Sequence, residues 1–402
     1  MIRFFAVALA GVLCCGTSGA ANAAVRIPDF ELVHNAPVET SLATPDIREP
    51  VAVWCEMFGH ARRTIDLEQY YVAGQRGEPL DKVIACLTAA GRRGVQIRFL
   101  MEEKGLANSD EPTLNRLKSI PHLTFRTLEW AKVSGDSIIH AKFFTVDGRS
   151  AYVGSQNFDW RSLKHIDETG VKIDDRHIVR QMQAIFAHDW AAQALVVQGQ
   201  PVPPLRAADD ERDENRHVFL VASPNRFDPP GVGNSEAELV RLIGQARHEV
   251  RVEVMEYGTA RRGAPPYTVI DDSLRAAAAR GVRVRVLVAD WDLTPARLPS
   301  LRSLAAVPNV ELRVIRIPEA SSGPIPYARV VHTKAMTIDG TTAWIGTSNW
   351  EGGYMDNGRN LEIVLRDAAI ARRLTAMLDQ AWTSPYVKPF AAAMADPPSK
   401  RT

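Results

Sequence analysis

The stretch HAKFFTVDGRSAYVGSQNFDWRS, residues 140–162, has a second copy, HTKAMTIDGTTAWIGTSNWEGG, at residues 332–353. Each copy reads H-x-K-x4-D followed by G-[ST]-x-N. Working outward, ARRTIDLE (Ala61–Glu68) matches ARHEVRVE (Ala246–Glu253). RGVQIR (Arg93–Arg98) matches RGVRVR (Arg280–Arg285), and Ile120-Pro121 matches Val307-Pro308. One short match is chance. Four in the same order, with a separation that drifts only by small loop insertions, argue for two copies of one lobe.

Each copy alternates helix and strand. An amphipathic helix (49–62; 235–247) leads into an apolar strand (64–71; 249–257), then a helix (80–91; 270–280) and a strand (95–101; 282–289). The strands are short, β-branched and nearly continuous in hydrophobicity, the pattern of strands covered on both faces. The expected fold class is therefore α/β: two similar sandwich lobes, each a mixed central sheet flanked by helices, with the active site at the lobe interface. The first lobe spans 24–200 and the second 217–390. Between them, residues 201–216 combine prolines with a charge run and read as a linker. Residues 391–402 read as a flexible tail.

The motif residues carry a coherent chemistry. Positions i and i+2 of a strand share a face, so His140 projects with Lys142 and His332 with Lys334. Asp147-Gly148 and Asp339-Gly340 read as hairpin turns, giving the two aspartates a structural role. The returning strands bring Ser155 and Asn157, and Thr347 and Asn349, toward the histidines as candidate substrate-binding groups. An imidazole attacks phosphorus or protonates a leaving oxygen near neutral pH. Two lysines with hydroxyl and amide donors stabilise the charge on phosphoryl oxygens. Attack and leaving-group protonation need imidazoles on opposite sides of the phosphorus, so one motif is insufficient and two facing motifs suffice. Glu168, downstream of His140, and Glu362, downstream of His332, are candidates to accept the Nδ1 proton of a catalytic histidine.

The duplicated H-x-K-x4-D motif resembles the signature of the phospholipase D superfamily, over nearly the whole chain after residue 23. Segments such as GSQNFDWRSL (Gly154–Leu163), IPYARV (Ile325–Val330) and GTSNW (Gly346–Trp350) are more closely similar to the phospholipase D-like 5′ exonucleases of animal lysosomes and their poxvirus envelope relatives. The resemblance implies a phosphohistidine intermediate with no metal and no cofactor. It also implies that His140 is the nucleophile and His332 the general acid and base. The substrate it implies is a nucleic acid end, with a glycerophospholipid as the alternative. The lipid reading would bring transient contact with a membrane surface. Trp160 and Trp350 read as core walls near the site rather than as stacking platforms, Tyr70, Tyr71 and Tyr257 as strand-end residues facing the cleft, and His165 as a surface residue.

Composition agrees with a globular enzyme: 46% hydrophobic and 24% charged residues exclude a disordered chain. A net charge of +1 excludes a protein that coats long nucleic acid by charge alone. Met1–Ala23 has a basic residue, an apolar run from Phe4 to Cys15 and Ala21-Asn22-Ala23, the features of a cleaved signal peptide. An exported protein, periplasmic or secreted, is expected. Cys55 and Cys86 then remain, either as a disulfide or as two buried thiols.

Overall fold

The computed structural model describes residues 26–205, 216–261 and 264–396. The signal-peptide reading, most of the linker and the end of the tail lie outside the described residues. The first lobe carries an eight-stranded sheet in the spatial order 26–27, 30–35, 168–173, 150–154, 143–146, 64–69, 96–102, 123–128. The second carries nine strands in the order 233–234, 218–223, 360–365, 342–346, 334–338, 249–254, 283–289, 310–315, 387–389. From the second strand to the eighth the two orders correspond one to one, strand Val387–Pro389 having no counterpart in the first sheet, and both sheets are mixed. Thr64–Gln69 and Gln96–Glu102 run parallel, as do Glu249–Val254 and Arg283–Ala289, while the motif hairpins run antiparallel.

Helix starts are set by local chemistry. Asp175 accepts from the N–H groups of His177 and Ile178 and opens the helix Arg176–Val197. Asp367, its counterpart in the second copy, does the same for Ala368–Trp382. Pro50 and Pro79 sit at the first turn of the helices Pro50–His60 and Pro79–Arg92, where a missing N–H is harmless. A disulfide between Cys55 and Cys86 joins these two helices, resolving the alternatives left by the sequence.

The two sheets share one core. Phe143, Ala151, Val153 and Val171 of the first and Ala335, Ala343, Ile345 and Ile363 of the second belong to a single buried cluster. The long helices contribute Met182, Ile185, Leu374 and Met377 to it. Separate apolar clusters lie between each sheet and its outer helices. The lobes are therefore one packed body with an apolar cluster common to both sheets. At the end of the second lobe, Val387–Pro389 add a strand to the edge of the sheet. The start of the tail differs from expectation: the short helix Phe390–Ala393 runs past residue 390 and buries Ala393 with Phe390 in that lobe's core.

Candidate active site

The motif hairpins are pinned identically in both lobes. Asp147 and Gly148 have φ of 54° and 61°, and Asp339 and Gly340 have 51° and 63°, the double left-handed turn that favours this dipeptide. The Asp147 carboxylate accepts from the backbone N–H groups of Arg62, Arg63 and Thr64 at 2.7–2.9 Å. Asp339 does so from Arg247, His248 and Glu249. Both aspartates thus lie at the far end of the hairpin from the histidines and tie it to the neighbouring strand.

At the other end the lobes meet. Ile139 pairs with Arg359, and Asp167 with Val331, as isolated backbone bridges across the interface. His140 and His332 are brought together with ring centroids 6.5 Å apart. Both line a cleft of ≈ 720 Å³ with Tyr70, Tyr71, Asn157, Trp160, Asn349 and Tyr354. Each motif lysine is buried and donates to its own histidine's carbonyl, Lys142 to His140 and Lys334 to His332. Burial, followed by the charge of Lys334, holds Lys142 well below the ordinary lysine range, and burial pushes Lys334 down to about 7. An anionic guest would restore the charge that burial strips from these two amines, so the pair is matched to a phosphoryl group.

Each histidine is oriented by the other lobe. His332 Nδ1 lies 2.8 Å from Glu168 Oε2, whose Oε1 accepts from Ser162 Oγ at 2.6 Å. Burial lifts the Glu168 carboxyl to about 8, so this pair retains a shared proton at neutral pH. His140 Nδ1 instead faces the Thr347 carbonyl at 2.9 Å and Asn360 Oδ1 at 3.3 Å. Burial, then the two lysines, keeps both imidazoles well below the usual histidine range.

Several expected contacts are corrected. Glu362 does not reach a histidine. It accepts from Ser235 and Ser348 behind the site, where burial lifts it to about 7. Asn360, just before it on the same strand, holds the place expected of it. The spacing was the available signal: Asn360 stands as far beyond His332 as Glu168 does beyond His140. Ser155 and Thr347 are fully buried and their hydroxyls are spent internally, Ser155 on Thr169 and Thr347 on Asn360. Asn157 and Asn349 do line the cleft, and Asn349 Nδ2 donates to Glu256 at 2.9 Å. Trp350 lies in the second lobe's core as expected, while Tyr257 lies there too instead of facing the cleft, and Trp160 lines the cleft with Tyr70 and Tyr71. His165 is buried against Trp160 rather than exposed, their ring centroids 5.5 Å apart.

Sequence reasoning passed over Arg359. Its guanidinium is fully buried and bonds Asp189 twice, Asp228, and the carbonyls of Ser223 and Phe227. Its own carbonyl accepts from the N–H groups of His140 and Ala141. A cationic knot spanning both lobes thereby holds the first histidine's backbone. Among the described residues no cluster of three His, Cys, Asp or Glu side chains suits a metal.

Known proteins share this architecture. The family model described as "Cardiolipin synthase, PLD-like domain" matches residues 54–190 and 239–382. Phospholipase D Z of Dictyostelium discoideum is 31% identical over 382 residues, covering 88% of this chain and 87% of that one. The rat 5'-3' exonuclease PLD3 is 27% identical, covering 88% of this chain and 79% of the relative. The human 5'-3' exonuclease PLD4 is 32% identical over 279 residues, 62% of this chain and 55% of that one. The phosphatidylserine synthase structure of Haemophilus influenzae superposes with a TM-score of 0.59 at 12% identity, over 91% of this chain and 88% of that one, a likeness of fold. With both halves matched by one family model and two facing H-x-K motifs on the cleft floor, the chain belongs to the phospholipase D superfamily.

Proposed function

We propose that this phosphodiesterase is an exported hydrolase that trims single-stranded nucleic acid from an end through a covalent phosphohistidine. The observation that carries the reaction type is the pair of imidazoles 6.5 Å apart, drawn from two lobes, flanked by two buried lysine side chains. His140 Nε2 forms a bond to phosphorus while the P–O bond to the leaving group breaks. The departing oxygen takes the proton held by the His332–Glu168 pair. Water then attacks phosphorus, gives its proton back to His332, and the P–N bond electrons return to His140. Lys142 and Lys334 balance the phosphoryl charge throughout, so the reading requires no metal. Asn157 and Asn349, on the cleft wall, supply amide donors to the phosphoryl oxygens.

The walls favour nucleotides. Tyr70, Tyr71, Trp160, Trp291 and Tyr327 line the cleft together with Asn108, Asp110 and Arg161. Flat rings among polar groups suit bases and sugars better than acyl chains. The relatives named as 5'-3' exonucleases support the same substrate. Those named phospholipase D keep glycerophospholipids as the second reading. The apolar leader at Met1–Ala23 and the Cys55–Cys86 disulfide both support an oxidising, extracytoplasmic setting.

End-labelled single-stranded DNA and phosphatidylcholine vesicles, each incubated with the mature protein, separate the readings. Stepwise mononucleotide release without choline release is expected. Choline release without DNA trimming would replace the nuclease reading with the lipid one. EDTA is expected to leave the rate within twofold.

A further inference from the structure

The two copies differ behind their histidines. Glu168 and Asn360 are equivalent: each opens the strand that pairs with the end of its motif hairpin, Glu168–Ile173 against Ser150–Gly154 and Asn360–Leu365 against Thr342–Gly346. Because each reaches into the opposite lobe, a carboxylate backs His332 and a neutral amide backs His140. Resting on the phosphohistidine reading above, we propose that this Glu168/Asn360 difference assigns the roles. Asn360 is the positioning residue that holds His140 as a neutral nucleophile with its Nε2 lone pair toward the cleft. Glu168 keeps the transferable proton at His332.

The hydrogen bonds fix the direction of the amide. Asn360 Nδ2 donates to the Tyr354 carbonyl at 3.0 Å, so Oδ1 faces His140. That oxygen also accepts from Thr347 Oγ1 at 2.9 Å, and Thr347 Oγ1 accepts in turn from the Leu361 N–H. His140 Nδ1 therefore meets two acceptors, the Thr347 carbonyl and Asn360 Oδ1, and must carry hydrogen. In the neutral ring this leaves Nε2 unprotonated. The Tyr354 ring packs edge-on against the imidazole at 4.8 Å and Tyr70 lies at 5.8 Å, closing the seat.

Charge then separates the two sites. An imidazolium at position 140 would have only neutral acceptors at Nδ1, with two ammonium groups nearby. At position 332 it would have a carboxylate at 2.8 Å. Forming the adduct at His332 would require the proton donor to stand on the side without an anion. The duplicated site is thus polarised, and the reaction has one direction of attack.

The test uses the full chain with two probes: bis(p-nitrophenyl) phosphate, whose leaving group needs no proton, and a thymidine dinucleotide, whose alkoxide does. Asn360→Asp sets a carboxylate beside His140 and raises its basicity. The acid limb of kcat/KM for the nitrophenyl ester is expected to move up by about one pH unit or more, roughly a tenfold loss on that limb. Glu168→Gln is expected to lower kcat for the dinucleotide by about 100-fold while the nitrophenyl ester loses less than about fivefold. An unmoved acid limb, or equal losses on both esters, would overturn the assignment. Should Asn360→Asp not fold, the ratio of the two esters in the Glu168→Gln sample decides alone. Rapid-quench peptide mapping should locate the adduct on His140. A wild-type enzyme that yields no phosphohistidine at all would sink the parent reading, an outcome distinct from either variant's result.

Discussion

Replacing Arg359 by methionine tests whether the buried cationic knot holds the two lobes together. The substitution keeps a long apolar stem against Trp130, whose ring lies 4.7 Å from the guanidinium, but removes the charge. In the wild type, burial pushes Asp189 up, and Arg359 with His188 outweighs it, holding Asp189 below the usual carboxylate range. Glu68 lies beside this pair and is raised well above its usual value by burial and then by Asp189, so it stays protonated. Without Arg359, Asp189 and Asp228 stay buried and lose the guanidinium they share. Asp189 keeps the His188 Nδ1 contact at 2.7 Å, which places the loss within the usual range for breaking a buried pair, about 4 kcal/mol. At about 2 °C per kcal/mol for a chain this large, Tm should fall by about 8 °C.

The sign of the pH dependence follows from the same groups. Wild-type Asp189, with a depressed pKa, adds stability above its unfolded pKa of about 4 and loses it as pH falls. In Arg359→Met the buried carboxyls have raised pKa values, so their stability is lost as pH rises. The gap between the two proteins must therefore widen from pH 5 to pH 8. Differential scanning calorimetry at pH 5, 6.5 and 8 reads it directly. A drop of less than about a quarter of that expected, or one equal at pH 5 and pH 8, would refute the claim that this charge cluster bears on the interface.

Three further outcomes are expected. Glu362→Gln should leave kcat within about twofold, because its carboxyl bonds Ser235 and Ser348 rather than a histidine. Since burial lifts Glu362 to about 7, its ionisation destabilises the fold at higher pH, and the glutamine variant should be the more stable protein at pH 8, as thermal melts would register. For the wild type, kcat/KM should fall as pH rises through about 7 to 8. Lys334 sheds its proton near 7 and the Glu168–His332 pair near 8, and a pH–rate profile that stays flat to pH 9 would contradict this. Asp147→Ala frees three N–H groups partly open to solvent, costing about 1–2 kcal/mol of stability in urea titration with kcat nearly unchanged.

The duplication, the lobe architecture and the motif hairpins were legible because they rest on local patterns: repeated segments, near-continuous apolar strands, and an Asp-Gly turn that demands two positive φ values. The reach of side chains across the interface was not. Spacing within one copy ties Glu168 to His140, yet Glu168 serves His332. Looking for a carboxylate rather than for the equivalent position led to Glu362 instead of Asn360. Ser155 and Thr347 read as phosphate ligands by type, but they sit at strand ends whose hydroxyls turn inward to neighbouring backbone and amide groups. Arg359 stands in the polar run Asp356-Asn357-Gly358-Arg359-Asn360, which reads as a surface loop until Asp189 and Asp228, far away in the chain, close over it.

That each histidine is steadied from the opposite lobe has an evolutionary corollary. In an ancestral assembly of two identical polypeptides, any substitution behind one imidazole would appear behind both, and the centre would stay symmetric. Fusion into a single gene lifts that obligation. A glutamate on one side and an asparagine on the other is a difference that two identical polypeptides cannot hold, and it means that neither half, expressed by itself, carries half of the activity.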